Sequence, residues 1–276
     1  MRRTREIHTA VFDDFSQFID QRWTQTCLGP GQLAIVDSAL RMTIPVVQQG
    51  EYADAQIDDY GKLRRAHFPW RPPLRMQVRA RTSLPAATAD STATSDIMRG
   101  TAGFGFWNYP FSVRGDIFML PEAIWFFYAS PPSDMALVPG MVGWGWKAQV
   151  VHAMRLGAIG SIIPTFLATG WSHLTNNTHL AAHWLQRLSG AHEALLPIEM
   201  TEWHTYKLEW YATETHFWVD EKHLLRVPNP PHGPLGFVAW LDNQYAIATP
   251  RGVLRFGTVS CDHQWFELDS VTIVPL

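Results

Sequence analysis

The sequence predicts a single all-β domain, an antiparallel jelly-roll β-sandwich, on three observations. Apolar residues fill 46% of its 276 positions and charged residues 17%, enough apolar matter for a large core and a poor match to a disordered chain. There are 13 Trp, 15 Phe and 7 Tyr, residues that favour strands and also line sugar and apolar-ligand clefts. Short runs of period-two alternation recur between turn residues, with no repeat period of a solenoid or propeller. A chain this long suits one large sandwich, so residues 1–276 are taken as one domain.

The elements follow in order. Residues 11–15 and 22–24 open the chain as short strands before a Gly29-Pro30-Gly31 turn. Residues 33–36 and 38–44 add two more, separated at Asp37. Residues 74–81 alternate apolar with polar or basic side chains, which makes a strand with one wet face. Residues 82–100, rich in Ser, Thr and Ala, carry neither period and read as an exposed loop. Residues 103–109, 123–129 and 142–148 are nearly continuous apolar runs, as expected of strands covered on both faces. Glycine alternates with aromatic residues there, leaving room for another group to approach the backbone. Residues 150–195 break the pattern, with no charged side chain between Arg155 and Arg187. Residues 178–188 read as a helix capped by Asn177 or Thr178 and stopped at Gly190, preceded by an apolar helix broken at Pro164. The expectation is an apolar helical insertion that packs on the sandwich or covers its mouth. Residues 203–210, 215–219 and 223–227 then form a three-strand meander, and 236–240 and 265–273 complete the β pattern.

Several function classes are excluded at this point. The formal net charge is −3 with no basic stripe, which argues against a nucleic-acid partner. The charged start Met1-Arg2-Arg3 is not followed by an apolar signal core, so a cytoplasmic location is expected. The most apolar stretch, 156–168, holds Gly and Pro and is too short to span a membrane. Cys27 and Cys261 form no zinc motif; two separate thiols are expected, although first and last strands often lie side by side and a bridge stays open.

A family resemblance enters through the meander. Trp203-His204-Thr205-Tyr206-Lys207-Leu208-Glu209-Trp210, with Phe217-Trp218-Val219-Asp220-Glu221-Lys222, resembles the W-H-T-Y-x-x-E-W and F-x-V-D-G-K pattern of glycoside hydrolase family 16. The tail from Phe266 to Val274 resembles that family's closing strand, and Phe12-Asp13-Asp14-Phe15 followed by Trp23 resembles the start of concanavalin A-like domains. The resemblance implies a concanavalin A-like sandwich. It also implies a Glu-x-Asp-x-Glu strand carrying nucleophile, helper and acid for retaining hydrolysis. No Glu-x-Asp-x-Glu occurs in this sequence. Aligned by order along the chain, Ala123 takes the nucleophile's place, Trp125 the helper's, and Phe127 or Tyr128 the acid's.

Candidate site residues follow from this frame. Glu122, one residue before that strand, is the acidic candidate nearest the family's catalytic position; its alternative is a solvated strand-end carboxylate. Asp116 and Asp134 flank the strand and could supply a second carboxylate, or act as turn residues. Trp107, Tyr109, Trp125, Tyr128, Trp144, Trp146 and Trp240 form the aromatic set, read as a stacking floor or as plain core. Asn243 and Tyr245, after Trp240, suit either a cleft rim or a β-turn. His179 and His183 sit at i, i+4 near His173, but capping and packing are expected of them and no metal is assigned. No cofactor is assigned either; Asp13, Asp14, Asp54, Asp58 and Asp59 are the residues that would serve a structural calcium.

The functional expectation is a binding protein whose concave cleft is paved by rings where family relatives carry carboxylates, with a glycan or apolar small molecule as ligand. A hydrolase with relocated acids, Glu122 plus Asp116, Asp134 or Asp242, is the second reading. An interaction module or homo-oligomer that uses the apolar insertion as its interface is the third.

Overall fold

A computed structural model describes residues 10–87, 96–110, 121–135, 137–138, 140–152, 190–248 and 254–276. Its strands, in chain order, begin with β1 (Val11–Asp13), β2 (Thr24–Leu28), β3 (Gln32–Val36), β4 (Ala39–Ile44), β5 (Asp54–Asp58) and β6 (Leu74–Thr82). Next come β7 (Thr101–Trp107), β8 (Glu122–Ala129), β9 (Gly145–His152), β10 (His192–Leu195), β11 (His204–Trp210) and β12 (Glu214–Val219). The chain closes with β13 (Lys222–Pro228), β14 (Gly236–Asp242), β15 (Gln244–Ala248), β16 (Leu254–Thr258) and β17 (Gln264–Pro275). One 3₁₀ turn, Arg65–His67, is the helical element among the described residues.

Two antiparallel sheets face each other. An eight-stranded sheet runs β13-β12-β11-β6-β17-β4-β3, with β1 paired to β17. A seven-stranded sheet runs β10-β9-β8-β7-β14-β5-β2. This is the antiparallel jelly-roll sandwich that the alternating pattern predicts. On β6 the burial follows the pleat: Leu74, Met76, Val78 and Ala80 are buried, and the basic residues between them face out. The core is aromatic. Phe104 of β7 lies 5.5 Å from Phe126, 5.2 Å from Tyr206 and 6.0 Å from Phe266, so rings from both sheets interlock.

The seven-stranded sheet is covered on both faces, which explains its continuous apolar strands. On β8, Ile124, Phe126 and Tyr128 enter the core, while Ala123, Trp125 and Phe127 occupy the opposite face. This parity corrects two expectations. Trp146 packs between Phe104, Phe126 and Tyr206 and donates its indole N–H to the Tyr206 hydroxyl at 3.2 Å. Tyr128 is fully buried, donates to the Met98 carbonyl at 2.8 Å and accepts the Ala87 N–H at 3.1 Å. Both are core residues because they sit one step out of phase with the cleft face.

The ends of the expected 150–195 insertion are strand, not helix. Val150 and His192 pair across β9 and β10, so a main-chain ladder closes the base of the segment between them. The helices read at 158–169 and 178–188, with His173, His179 and His183, lie outside the described residues. Cys27 and Cys261 are unpaired, the first exposed and the second buried. Among the described residues no helix is long and apolar enough to cross a membrane.

Candidate functional site

The outer face of the seven-stranded sheet forms a cleft of about 640 Å³. Period two aims every second residue of β2, β5, β7, β8 and β14 at it. One half is aromatic. Trp125 lies 5.9 Å from Trp107, 5.3 Å from Trp240 and 5.4 Å from Phe127, and Tyr109 stands 5.2 Å from Trp107. Two glycines of β7 let these rings lie close to the sheet. A Cβ on Gly103 would come 2.9 Å from the Trp240 ring. One on Gly105, whose φ is +148°, would come 2.5 Å from the Trp125 Cβ. The open space read from the Gly/aromatic alternation is therefore occupied by this protein's own tryptophans.

Each indole N–H is held by the protein. Trp107 donates to the Tyr60 hydroxyl at 2.6 Å, Trp240 to Thr101 Oγ1 at 2.9 Å, and Trp125 to Gln149 Oε1 at 2.8 Å. Behind Trp125 the chain of contacts continues: Gln149 donates to Glu193 at 3.0 Å, and Lys147 pairs with Glu193 at 3.1 Å. That ion pair is almost fully buried and hydrogen-bonded, so its geometry is well specified. With polar edges committed and orientations fixed, the part-exposed rings of Trp107 and Trp125 are what the floor offers to the cleft.

The other half of the cleft is acidic. Asp54 of β5 stands directly opposite Asp242 of β14, and Asp58 opposite Val238. Asp242 Oδ1 accepts from Thr101 Oγ1 at 2.8 Å, Thr101 N at 3.2 Å and Gln244 N at 3.0 Å. Asp58 caps the turn after β5 by accepting from the Tyr60 and Gly61 amides, and takes Gln56 Nε2 at 3.1 Å. Asp54 differs: it lines the cleft, is 6% exposed, and its side chain has no hydrogen-bond or ion-pair partner among the described residues. Burial, then the like charges of Asp242 and Asp58, push its carboxyl up to about 8. Burial raises Asp242 to about 6, against its three donors. Among the described residues lining the cleft there is no Lys, Arg or His.

The remaining predicted residues fall as follows. Trp107, Tyr109, Trp125, Trp240 and Tyr245 line the cleft, the last from the β15–β16 hairpin that forms one wall. Trp144 is half-buried just before β9, beside Phe127 and Met135 rather than in the main cleft. Asn243 is fully buried and structural, accepting the Ala53 N–H and donating to the Glu51 and Val259 carbonyls. Glu122 shares the parity of Ile124 and Phe126, so it points away from the cleft, 3.3 Å from His152 Nε2 at the strand's end. Asp116 lies outside the described residues. Asp134 sits in a bridge to Ile247 of the hairpin wall. The five aspartates read for calcium are not gathered. Asp13 holds Trp23 Nε1 at 2.7 Å, exposed Asp14 caps Ser16, Asp54 and Asp58 face the cleft, and Asp59 is tied to Trp70 Nε1 and the Phe237 amide. Among the described residues no group of three or more metal-ligating side chains is assembled.

Sequence reasoning named Asp242 as a relocated acid and Asp54 and Asp58 as calcium candidates, but did not bring them together on one cleft face. Part of the signal was present: Asp54-Ala55-Gln56-Ile57-Asp58 alternates polar with apolar residues, placing three polar side chains on one face of a strand.

No protein-family model matches the chain, and no curated protein matches it. Solved structures do. A prokaryotic β-1,3-1,4-glucanase (lichenase) from a mouse hindgut metagenome superposes with TM-score 0.53 at 14% identity, covering 97% of this chain and 100% of that one. A glycoside hydrolase family 16 endo-glucanase from Bacteroides ovatus gives 0.50 at 11% identity, over 96% and 99% of the two chains. A GlcNAcα1-4Gal-releasing endo-β-galactosidase from Clostridium perfringens gives 0.50 at 13% identity; this chain is covered over 98% but spans only 63% of that enzyme. At such identities the likeness is one of fold: the chain has the β-sandwich of family 16 endo-glycanases.

Proposed function

We propose that the chain binds a glycan in the cleft of its seven-stranded sheet. The observation that carries this reading is the tryptophan floor, with Trp107 and Trp125 part-exposed at the cleft, Trp240 packed beneath them, and all three N–H groups committed to the protein. Sugar rings present C–H faces that stack on indoles, and hydroxyl edges that carboxylates and amides bind. The fold-mates' names, all of glycan-degrading enzymes, support a glycan over an unrelated apolar ligand. The place where such relatives would carry acids holds Ala123, Trp125 and Phe127, which suits binding more than the usual retaining chemistry. Trp125→Ala is expected to weaken binding of β-linked oligosaccharides by about tenfold or more. Intrinsic fluorescence titration with cello- and laminari-oligosaccharides reads this; undiminished affinity in the variant removes the stacking floor from the reading.

Hydrolysis with relocated acids is the second reading, and the facing Asp54 and Asp242 favour it. Directly opposed strand residues have Cβ atoms about 4.5–5.5 Å apart, near the carboxyl separation of about 5–5.5 Å used in retention. At neutral pH the two carboxyls divide the roles, Asp54 protonated as acid and Asp242 ionised, with Oδ2 free of donors among the described residues. This pair replaces Glu122, which the fold turns away. Under this reading the wild type releases reducing ends from mixed-linkage glucan, and Asp242→Asn lowers the rate by at least about 100-fold; no release by the wild type rejects it.

A further inference from the structure

Among the described residues, the cleft combines rings with acidic side chains and carries no basic one. Asp54, Asp58 and Asp242 line it, while the described lining residues include no Lys, Arg or His. Asp242 and Asp58 have donors within the fold, as described above. The Asp54 side chain has none among the described residues, although the residue is more than nine-tenths buried and lines the cleft. A buried carboxyl held beside two others costs stability unless a donor or cation joins it. Trp240 is two residues from Asp242 on β14, on the same face, so an ammonium near Asp54 would also lie close to indole faces.

We propose that the cleft selects a glycan bearing free amines, a polymer of non-acetylated amino sugar, with one ammonium group seated against Asp54. This rests on the glycan reading above and names the substrate class within it. A neutral glycan brings Asp54 no cation, and a sulfated or uronic-acid glycan adds negative charge beside Asp58 and Asp242. An amino sugar supplies both the flat face for Trp125 and Trp240 and three N–H donors for Asp54. A charge-assisted hydrogen bond in this buried setting is stronger than a neutral one. The ammonium also favours the ionised form of Asp54, so binding displaces the proton the empty cleft keeps there.

The test compares three hexamers of the same β-1,4-linked backbone that differ at C2: glucosamine, N-acetylglucosamine and cellohexaose. Calorimetric titration at pH 6, in two buffers of different ionisation enthalpy, reads affinity and proton release together. The glucosamine hexamer is expected to bind about tenfold or more tighter than the other two, with proton release and with affinity falling as salt rises. In Asp54→Asn, whose fold is checked by its melting transition, the advantage and the proton release disappear. The comparison on the unaltered protein stands without any variant. Equal or weaker binding of the amine hexamer overturns the proposal, and measurable cellohexaose binding in that case leaves the glycan reading standing. Binding of none of the three overturns both. An advantage retained in Asp54→Asn also overturns the proposal, because the amine then sits elsewhere. Ethanolamine serves as a primary amine without a sugar ring, and binding of ethanolamine as tight as the hexamer would reject the amino-sugar assignment.

Discussion

Asp54 carries the sharpest consequence at the scale of single residues. Its carboxyl titrates near 3.8 in an unfolded chain and is raised to about 8 in the fold, by burial first and then by Asp242 and Asp58. The folded state therefore holds a proton that the unfolded chain gives up. Stability from this group is complete below about pH 4 and is lost as pH rises toward 8. The loss amounts to an order of a few kcal/mol. Asp54→Asn keeps the shape and removes the titration, so the variant should gain stability relative to wild type from acid to pH 8. Denaturant midpoints at several pH values test this; parallel curves for the two proteins would show that Asp54 does not titrate in this range.

Strand β7 makes the same point for an element. Its sequence Thr101-Ala102-Gly103-Phe104-Gly105-Phe106-Trp107 splits cleanly by parity. Phe104 and Phe106 drive into the core, and the glycines clear the opposite face for Trp240 and Trp125. Gly105 combines a positive φ with backbone and Trp125 atoms within 2.6 Å of any Cβ. Gly105→Ala must therefore push Trp125 off the sheet and strain the strand, at a cost of about 1–3 kcal/mol. Glycan affinity should fall with stability, because Trp125 then loses its bond to Gln149. A lowered melting temperature with unchanged affinity would separate the glycine's backbone role from the floor. Strands β11 and β12 of the meander were readable because each keeps one wet face and hence alternates. Strands β8 and β9 were recognisable as strands, but not by face. Both of their faces are buried, so Trp125 and Trp146 look alike in the sequence, although one floors the cleft and the other fills the core.

For the whole molecule, the division between sequence and tertiary structure follows the reach of each interaction. Local alternation, turn residues and aromatic abundance determined an antiparallel β-sandwich and the positions of most strands, and left the rings open between cleft and core. These rest on side chains two residues apart on one strand, which the sequence displays directly. The identity of the cleft's acids was decided only by strand order. Asp54 and Asp242 are separated by about two thirds of the chain, and β14 lies between β7 and β5 because the sandwich crosses over, not because of any local signal. The same holds for Glu122, which is near the family's catalytic position along the chain but faces the wrong way by one residue. The sequence by itself determined what kind of surface this protein presents. The sheet order decided which charges share it, because a pairing between distant strands is a property of the folded chain and leaves no period behind.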